Sequence, residues 1–116
     1  MFNSILGMIT VHGDDYRHGP SPVGETSLSF QNNNRGKRSV TLDLRMDEGR
    51  ELLLRLVEGA DALVENFRSG WMESHGLGSE VIQERNPRCV VASLSGFGAT
   101  GPRAGQVSYD IIAQAM

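Results

Sequence analysis

Apolar and polar positions recur with two different periods along this chain, and each period marks a different kind of element. Residues 8–12, MITVH, read as a short strand. Through SVTLDL, residues 39–44, Val40, Leu42 and Leu44 alternate with polar neighbours, the period-two pattern of a strand. Beyond Asp47 the period lengthens. Leu53, Leu56, Val57 and Ala60 recur at i, i+3, i+4 and i+7, and Leu52 widens the stripe, so a helix is expected over 47–59. Asp47 and Glu48 put negative charge in its first turn, where the helix dipole favours it. Each buried leucine would contribute roughly 1.5–3 kcal/mol. Glu51 stands four before Arg55, the favourable order for a surface pair, and Gly59 is placed to end the helix.

The second half repeats the alternation of element types. ALVENF, residues 62–67, reads as a strand, and SEVIQER, 79–85, as a helix capped by Ser79 and stopped by Pro87. CVVASL, 89–94, is an apolar run suited to a strand covered on both faces. SYDIIAQAM, 108–116, begins another helix, with Ser108 as cap and Ile111, Ile112 and Ala115 apolar. GDDYRHGPSPVGETS, 13–27, reads as an irregular loop, and QNNNRGKR, 31–38, as a basic turn after Phe30. Strand, helix, strand, helix, strand, helix implies right-handed crossovers and a mostly parallel sheet with flanking helices, the α/β class.

Composition narrows the function classes. A chain of 116 residues is one ordinary domain in size, and its 39% hydrophobic and 22% charged residues suit a globular protein. A net charge of −3 provides no general field for nucleic acid or an anionic membrane. The cations are ten Arg and one Lys, Lys37. Arg forks match phosphate, although GC-rich codon usage produces the same bias. The single cysteine, Cys89, cannot form an intrachain disulfide, so a reducing compartment is inferred, and its neighbours Val90, Val91 and Ala92 make it a small buried hydrophobe. No apolar run approaches the roughly 20 residues of a membrane span, and the opening MFNSILGMITVHG lacks the flanks of a signal peptide. A cytoplasmic location is expected. His12 and His18 show no metal spacing.

Gly96, Gly98 and Gly101 fall on the spacing G-x-G-x-x-G after the run Cys89–Ala92. In a dinucleotide fingerprint the third glycine opens a helix, and an acidic residue follows about 20 positions later. Here Gly101 leads into Pro102-Arg103-Ala104-Gly105-Gln106, which is more loop, and the chain ends before that acidic position. The dinucleotide reading is set aside.

A more specific match covers roughly residues 6–116. SGFGATGP followed by YDIIAQAM resembles the signature of the family III CoA-transferases, the CaiB/BaiF family. NNRGKRSVTLDL is similar to that family's N-R-N-K-R-S-V-x-L-D-L segment. DEGRELLLRLVEGADALVENFRSG resembles its P-E-G-R…A-D-V-x-V-E-N-F-R-P-G run, and GDDYRHGP, MESHGLG and NPR fit as well. The resemblance implies an α/β large domain with a Rossmann-like sheet, and two chains interlocked as a homodimer. It implies transfer of CoA from an acyl-CoA donor to a free carboxylic acid, with CoA as substrate and no prosthetic group. An aspartate carboxylate would attack the donor thioester, splitting one hard acyl exchange into easier steps. Backbone N–H groups of glycine loops could receive the developing oxyanion.

The same resemblance implies that residues 1–116 are a partial large domain. The family's opening strand–helix unit, with a CoA-contacting arginine, would precede this segment, and its nucleophilic aspartate would lie beyond Met116. Both chain ends are abrupt, and an apolar helix of about two turns is marginal alone. By motif, Leu42, Arg45, Asn66 and Phe67 would lie near the adenosine and pyrophosphate of CoA, with Arg68 beside them. Bland readings stand alongside: Leu42 as core, Arg45 and Arg68 as solvated charges. Where the family carries a basic residue in M-E-R-L-G, this chain has Ser74, and His75 replaces that charge only partly. Tyr109 and Asp110 would line the active site. In the related acyl-CoA racemases the resemblance implies a histidine at position 109, whereas tyrosine, with a pKa of about 10, is a poor base at neutral pH. Transferase is therefore favoured over α-proton exchange. For Asp110 the alternative is a carboxylate in a helix first turn. A non-catalytic CoA- or nucleotide-binding relative is the other reading of the whole chain.

Overall fold

The structure is a computed structural model that describes residues 27–106, Ser108 and Ala115, together with the backbone of Leu6–Ile9. The chain divides into two compact units, Met1–Arg50 and Glu51–Met116.

In the first unit, β1 (Leu6–Ile9) pairs in parallel with β2 (Arg38–Thr41), Leu6 opposite Arg38 and Ile9 opposite Thr41. Strand β1 begins two residues earlier than the run 8–12 suggested, and positions 10–12 lie outside the described residues. Between the strands runs α1, Leu28–Asn34, over the first half of the segment expected to be a basic turn. Ser27 is the reason. Its Oγ accepts the Phe30 N–H at 3.1 Å, satisfying one orphan donor of the first turn, and its carbonyl accepts the Gln31 N–H, opening the helical ladder. Asn34 then folds its amide back onto the Phe30 carbonyl at 3.0 Å. The turn itself is confined to Arg35–Lys37, where Gly36 has φ 76°, a left-handed value that glycine adopts without a Cβ penalty.

Strand β2 ends at Thr41 rather than Leu44. Residues 43–46 turn instead, the Met46 N–H donating to the Asp43 carbonyl at 3.1 Å. The alternation of Leu42 and Leu44 therefore does not extend the ladder. Leu44 is buried from a loop. Helix α2, Asp47–Val57, follows, with Asp47 and Glu48 in its first turn as expected.

In the second unit, β3 (Ala62–Glu65) and β4 (Val90–Ser93) pair in parallel, Ala62 opposite Val90 and Glu65 opposite Ser93. Between them lie α3 (Trp71–Ser74) and α4 (Ser79–Arg85). Both strand pairs are parallel with helices alongside, the α/β arrangement expected. The buried side chains here are Leu53, Val57, Met72, Leu77, Ile82 and Cys89, each aliphatic one contributing roughly 1.5–3 kcal/mol. Cys89 is thus the small buried hydrophobe it read as.

Four local expectations are corrected. The apolar stripe of α2 is narrower than its period, since Leu52 and Leu56 stay exposed while Leu53 and Val57 are buried. Glu51 pairs with Arg85, at 3.1 Å, and so does Glu58, at 3.0 Å. Exposed pairs of this kind contribute at most about 1 kcal/mol. Ser79 is the first residue of α4 and not its cap. The cap position is Gly78, which makes no side-chain hydrogen bond and packs so closely that a Cβ there would meet Glu73 Cγ at 3.3 Å. Finally, β4 is not covered on both faces. By register Ala62, Val64, Val90 and Ala92 share one face, and Val64 and Val90 are each 64% exposed.

Helix α2 stops without a left-handed glycine at position 59. The Asn86 side chain donates from Nδ2 to the carbonyls of Val57, at 2.8 Å, and Ala60, at 2.9 Å. A residue 29 positions away thereby satisfies carbonyls that a helix end leaves orphaned. Among the described residues, no helix is long and apolar enough to cross a membrane. The helix expected over 108–116 lies outside the described residues apart from Ser108 and Ala115.

Candidate functional site

Two of the sequence-identified positions, Leu42 and Arg45, lie in the loop between β2 and α2. Leu42 is half-buried, consistent with a position near the end of a strand. Arg45 has a side chain 69% exposed, yet it is not free to wander. Asp43 accepts from its Nε at 2.8 Å, its Nη2 at 2.7 Å and its backbone N–H at 3.1 Å. Those hydrogen bonds, and then the carboxylate charge, push the Arg45 guanidinium above its ordinary pKa. Its charge is constant at every pH the protein meets. The loop beneath is held from α2: Arg50 donates from Nη1 to the carbonyls of Leu44, at 3.0 Å, and Arg45, at 2.9 Å, and also pairs with Asp47.

The other pair, Asn66 and Phe67, occupies the first two positions past the carboxyl end of β3. The expected strand ran through Phe67. It ends at Glu65 because the Phe67 N–H turns to the Glu65 carboxylate, at 2.7 Å, instead of continuing the ladder. Asn66 is exposed and Phe67 half-buried. Chain segments leaving the carboxyl ends of parallel strands are where open α/β sheets bind ligands. Arg68 is exposed, and its carbonyl accepts the Trp71 N–H at 2.9 Å.

Sequence reading missed what Phe67 touches. Its ring stacks on Trp71 with centroids 4.3 Å apart, and Trp71 stacks on His75 at 3.9 Å. For Trp71 and His75 the spacing i, i+4 was available as a signal, since one helical turn brings such positions together, whereas Phe67 reaches Trp71 from the strand exit. His75 Nδ1 lies 2.8 Å from the Trp71 carbonyl, which only accepts, so that nitrogen carries the proton. Ser74, standing where a basic residue was expected, donates to the same carbonyl at 2.8 Å. Its hydroxyl serves the turn and supplies no charge.

The glycine loop follows β4. Gly98 and Gly101 have φ of 79° and 98°. No helix opens at Gly101: the Ala104 N–H donates back to the Gly101 carbonyl and the Gln106 N–H to that of Arg103, a run of turns. A Cβ on Gly96 would overlap Ser108, so the loop's two ends touch only because position 96 has no side chain. Among the described residues this is a folded-back loop, and Gly101 does not open the helix N-terminus on which a dinucleotide fingerprint relies. Tyr109 and Asp110 lie outside the described residues. Among the described residues, no group of three or more His, Cys, Asp or Glu is placed to hold a metal ion.

Comparison with known proteins agrees with these motifs. The profile of CoA-transferase family III matches residues 9–116. The chain is 49% identical over 106 residues to an acetyl-CoA:oxalate CoA-transferase of Acetobacter aceti, covering 90% of this chain and 27% of that protein. It is 53% identical over 91 residues to a succinyl-CoA:mesaconate CoA-transferase of Haloarcula hispanica, covering 75% of this chain and 23% of the relative. Among solved structures, a CaiB/BaiF family protein from Brucella suis superposes with a TM-score of 0.89 at 39% identity, over 97% of this chain and 31% of that one. The chain thus spans between about a quarter and a third of the length of these relatives. A profile match that takes in β2, β3, β4, the β3 exit and the glycine loop establishes that the chain belongs to CoA-transferase family III.

Proposed function

We propose that this chain forms part of an enzyme moving CoA from an acyl-CoA donor to a free carboxylic acid. The observation that carries the reading is the family match over residues 9–116, together with the CoA-transferase activity named for both relatives above. An aspartate carboxylate lying outside these 116 residues attacks the thioester carbonyl, the C–S bond breaks, and CoA leaves as thiolate while the donor acyl group stays on the aspartate as a mixed anhydride. The thiolate then attacks the aspartyl carbonyl, expelling the donor acid as carboxylate and leaving an aspartyl-CoA thioester. The acceptor carboxylate attacks that thioester, and returning thiolate converts the second anhydride into the new acyl-CoA, regenerating the aspartate. Each step exchanges one acyl bond for another, which is how covalent catalysis divides a barrier.

In this reading Leu42, Arg45, Asn66 and Phe67 hold CoA, and Tyr109 and Asp110 line the acyl site. Arg45 suits a phosphate because its fork is planar and permanently charged. Asn66, exposed just past β3, has an amide able to bond the nucleotide portion. The full enzyme works as an interlocked homodimer in the cytoplasm.

Isothermal titration with CoA tests the binding half. Wild type is expected to bind, and Asn66→Ala to bind about two- to tenfold more weakly, the worth of one hydrogen bond. Absence of heat with wild type refutes CoA recognition by these residues. The chemical half is tested with acetyl-CoA plus oxalate and succinyl-CoA plus mesaconate, where the 116 residues alone are expected not to turn over. Sustained transfer abolished by Asp110→Ala would place the attacking carboxylate within this chain and overturn the mechanism.

A further inference from the structure

We infer that Asp43, Gly49 and Arg50 are positioning residues for Arg45, fixing its guanidinium so that the terminal fork stays open to a phosphate group of a CoA-class ligand; this rests on the CoA reading above. Asp43 engages Arg45 from the side, taking Nε at 2.8 Å and one N–H of Nη2 at 2.7 Å. Of the guanidinium N–H groups, this leaves both on Nη1 and the second on Nη2. They point from the outer edge of the plane, the edge that meets two phosphate oxygens in parallel. The side chain is 69% exposed, so that edge is reachable.

The carboxylate can act as an anchor only if it is itself held. Its own backbone carbonyl accepts the Met46 N–H at 3.1 Å, closing the turn. The next two carbonyls, of Leu44 and Arg45, are both taken by Arg50 Nη1. Gly49 lies directly on the Asp43 carbonyl: a Cβ there would overlap the oxygen and come 2.7 Å from the carbon. Met46, just before α2, and Gly49 and Arg50 in its first turn therefore seat the loop by hydrogen bonds and by one close approach. The pattern Asp43-x-Arg45-x-x-x-Gly49-Arg50 is one device. Asp43 lies against the Arg45 charge, so the site offers a ligand oriented donors together with that charge. A lysine at position 45 could not be clamped from one side while donating two parallel bonds from another.

The test is titration of CoA, and of ADP as a simpler diphosphate, into wild type, Asp43→Ala, Asp43→Asn, Arg45→Ala and the Asp43→Ala/Arg45→Ala double variant, with circular dichroism on each. Asp43→Ala is expected to weaken binding about three- to tenfold, the cost of immobilising a long side chain at the moment of binding. In the Arg45→Ala background the same change should matter less than about 1.5-fold, because Asp43 acts through Arg45. Asp43→Asn keeps a neutral acceptor and the loop's shape, so it should fall between. Equal losses in both backgrounds would mean that Asp43 acts through folding. Tighter binding in Asp43→Ala would mean that the carboxylate merely repels phosphate, and unchanged binding that Arg45 needs no holding. Each of these overturns the role of Asp43 alone. A wild-type chain giving no heat with CoA overturns the ligand reading itself and this inference with it.

Discussion

Asn86 offers the sharpest test of how the second unit is held together. It sits just past α4, yet its side chain closes the end of α2 by donating to the carbonyls of Val57, at 2.8 Å, and Ala60, at 2.9 Å. Its Oδ1 accepts the Arg88 N–H at 3.1 Å, while its own backbone N–H stays on Ile82. Asn86→Ala deletes the side-chain bonds and leaves the Val57 carbonyl with the Ala60 N–H alone, at 3.0 Å. At about 0.5–1.5 kcal/mol net for each bond, and with water replacing part of the loss, the destabilisation should be about 1–3 kcal/mol. Urea unfolding followed by far-UV circular dichroism and by the fluorescence of Trp71, the single tryptophan, measures it. With a slope of roughly 1–3 kcal/mol per molar, the midpoint should fall by about 1 M. Asn86→Asp is the control. It keeps the acceptor for Arg88 but turns a carboxylate toward carbonyls at the negative end of a helix dipole. Aspartate must then be at least as damaging as alanine. An Asn86→Asp variant as stable as wild type, or an alanine cost below about 0.3 kcal/mol, would refute the argument.

Two further outcomes follow from packing. Ile82→Ala, at a side chain with 0% exposure, should cost about 2–5 kcal/mol in the same urea titration, and a cost under about 1 kcal/mol would show that α4 does not pack as described. Gly49→Ala forces a Cβ onto the Asp43 carbonyl and should lower stability by about 1–3 kcal/mol or more, although alanine is the better helix former. A stabilised Gly49→Ala protein would mean that the loop does not approach the helix this closely.

The place in the fold of two candidate residues was legible from position. Asn66 and Phe67 were expected at the carboxyl end of a strand, and they lie just past β3. The helix expected over 47–59 announced itself through its period and its acidic first turn, and it runs over Asp47–Val57. Cys89 read correctly because its neighbours are apolar and it has no partner cysteine. The rest escaped because its causes are side-chain bonds that leave no trace in hydrophobic periodicity. One serine hydroxyl at position 27 converts an asparagine-rich stretch from turn to helix. The Asp43 carboxylate, invisible to any period, determines where Arg45 points.

Taken alone, the order of residues determined the α/β class, the helices α2 and α4, the approximate places of the four strands and the family, since local periods of two and 3.6 and short ordered motifs are properties of neighbouring positions. Tertiary structure decided where strands stop, which leucines of a stripe are covered and what ends a helix. Those outcomes depend on groups brought from a distance, as Asn86 is brought to Val57 and Arg85 to Glu51 and Glu58. A backbone carbonyl takes whichever donor lies nearest in space, and distance along the chain does not reveal which one that will be.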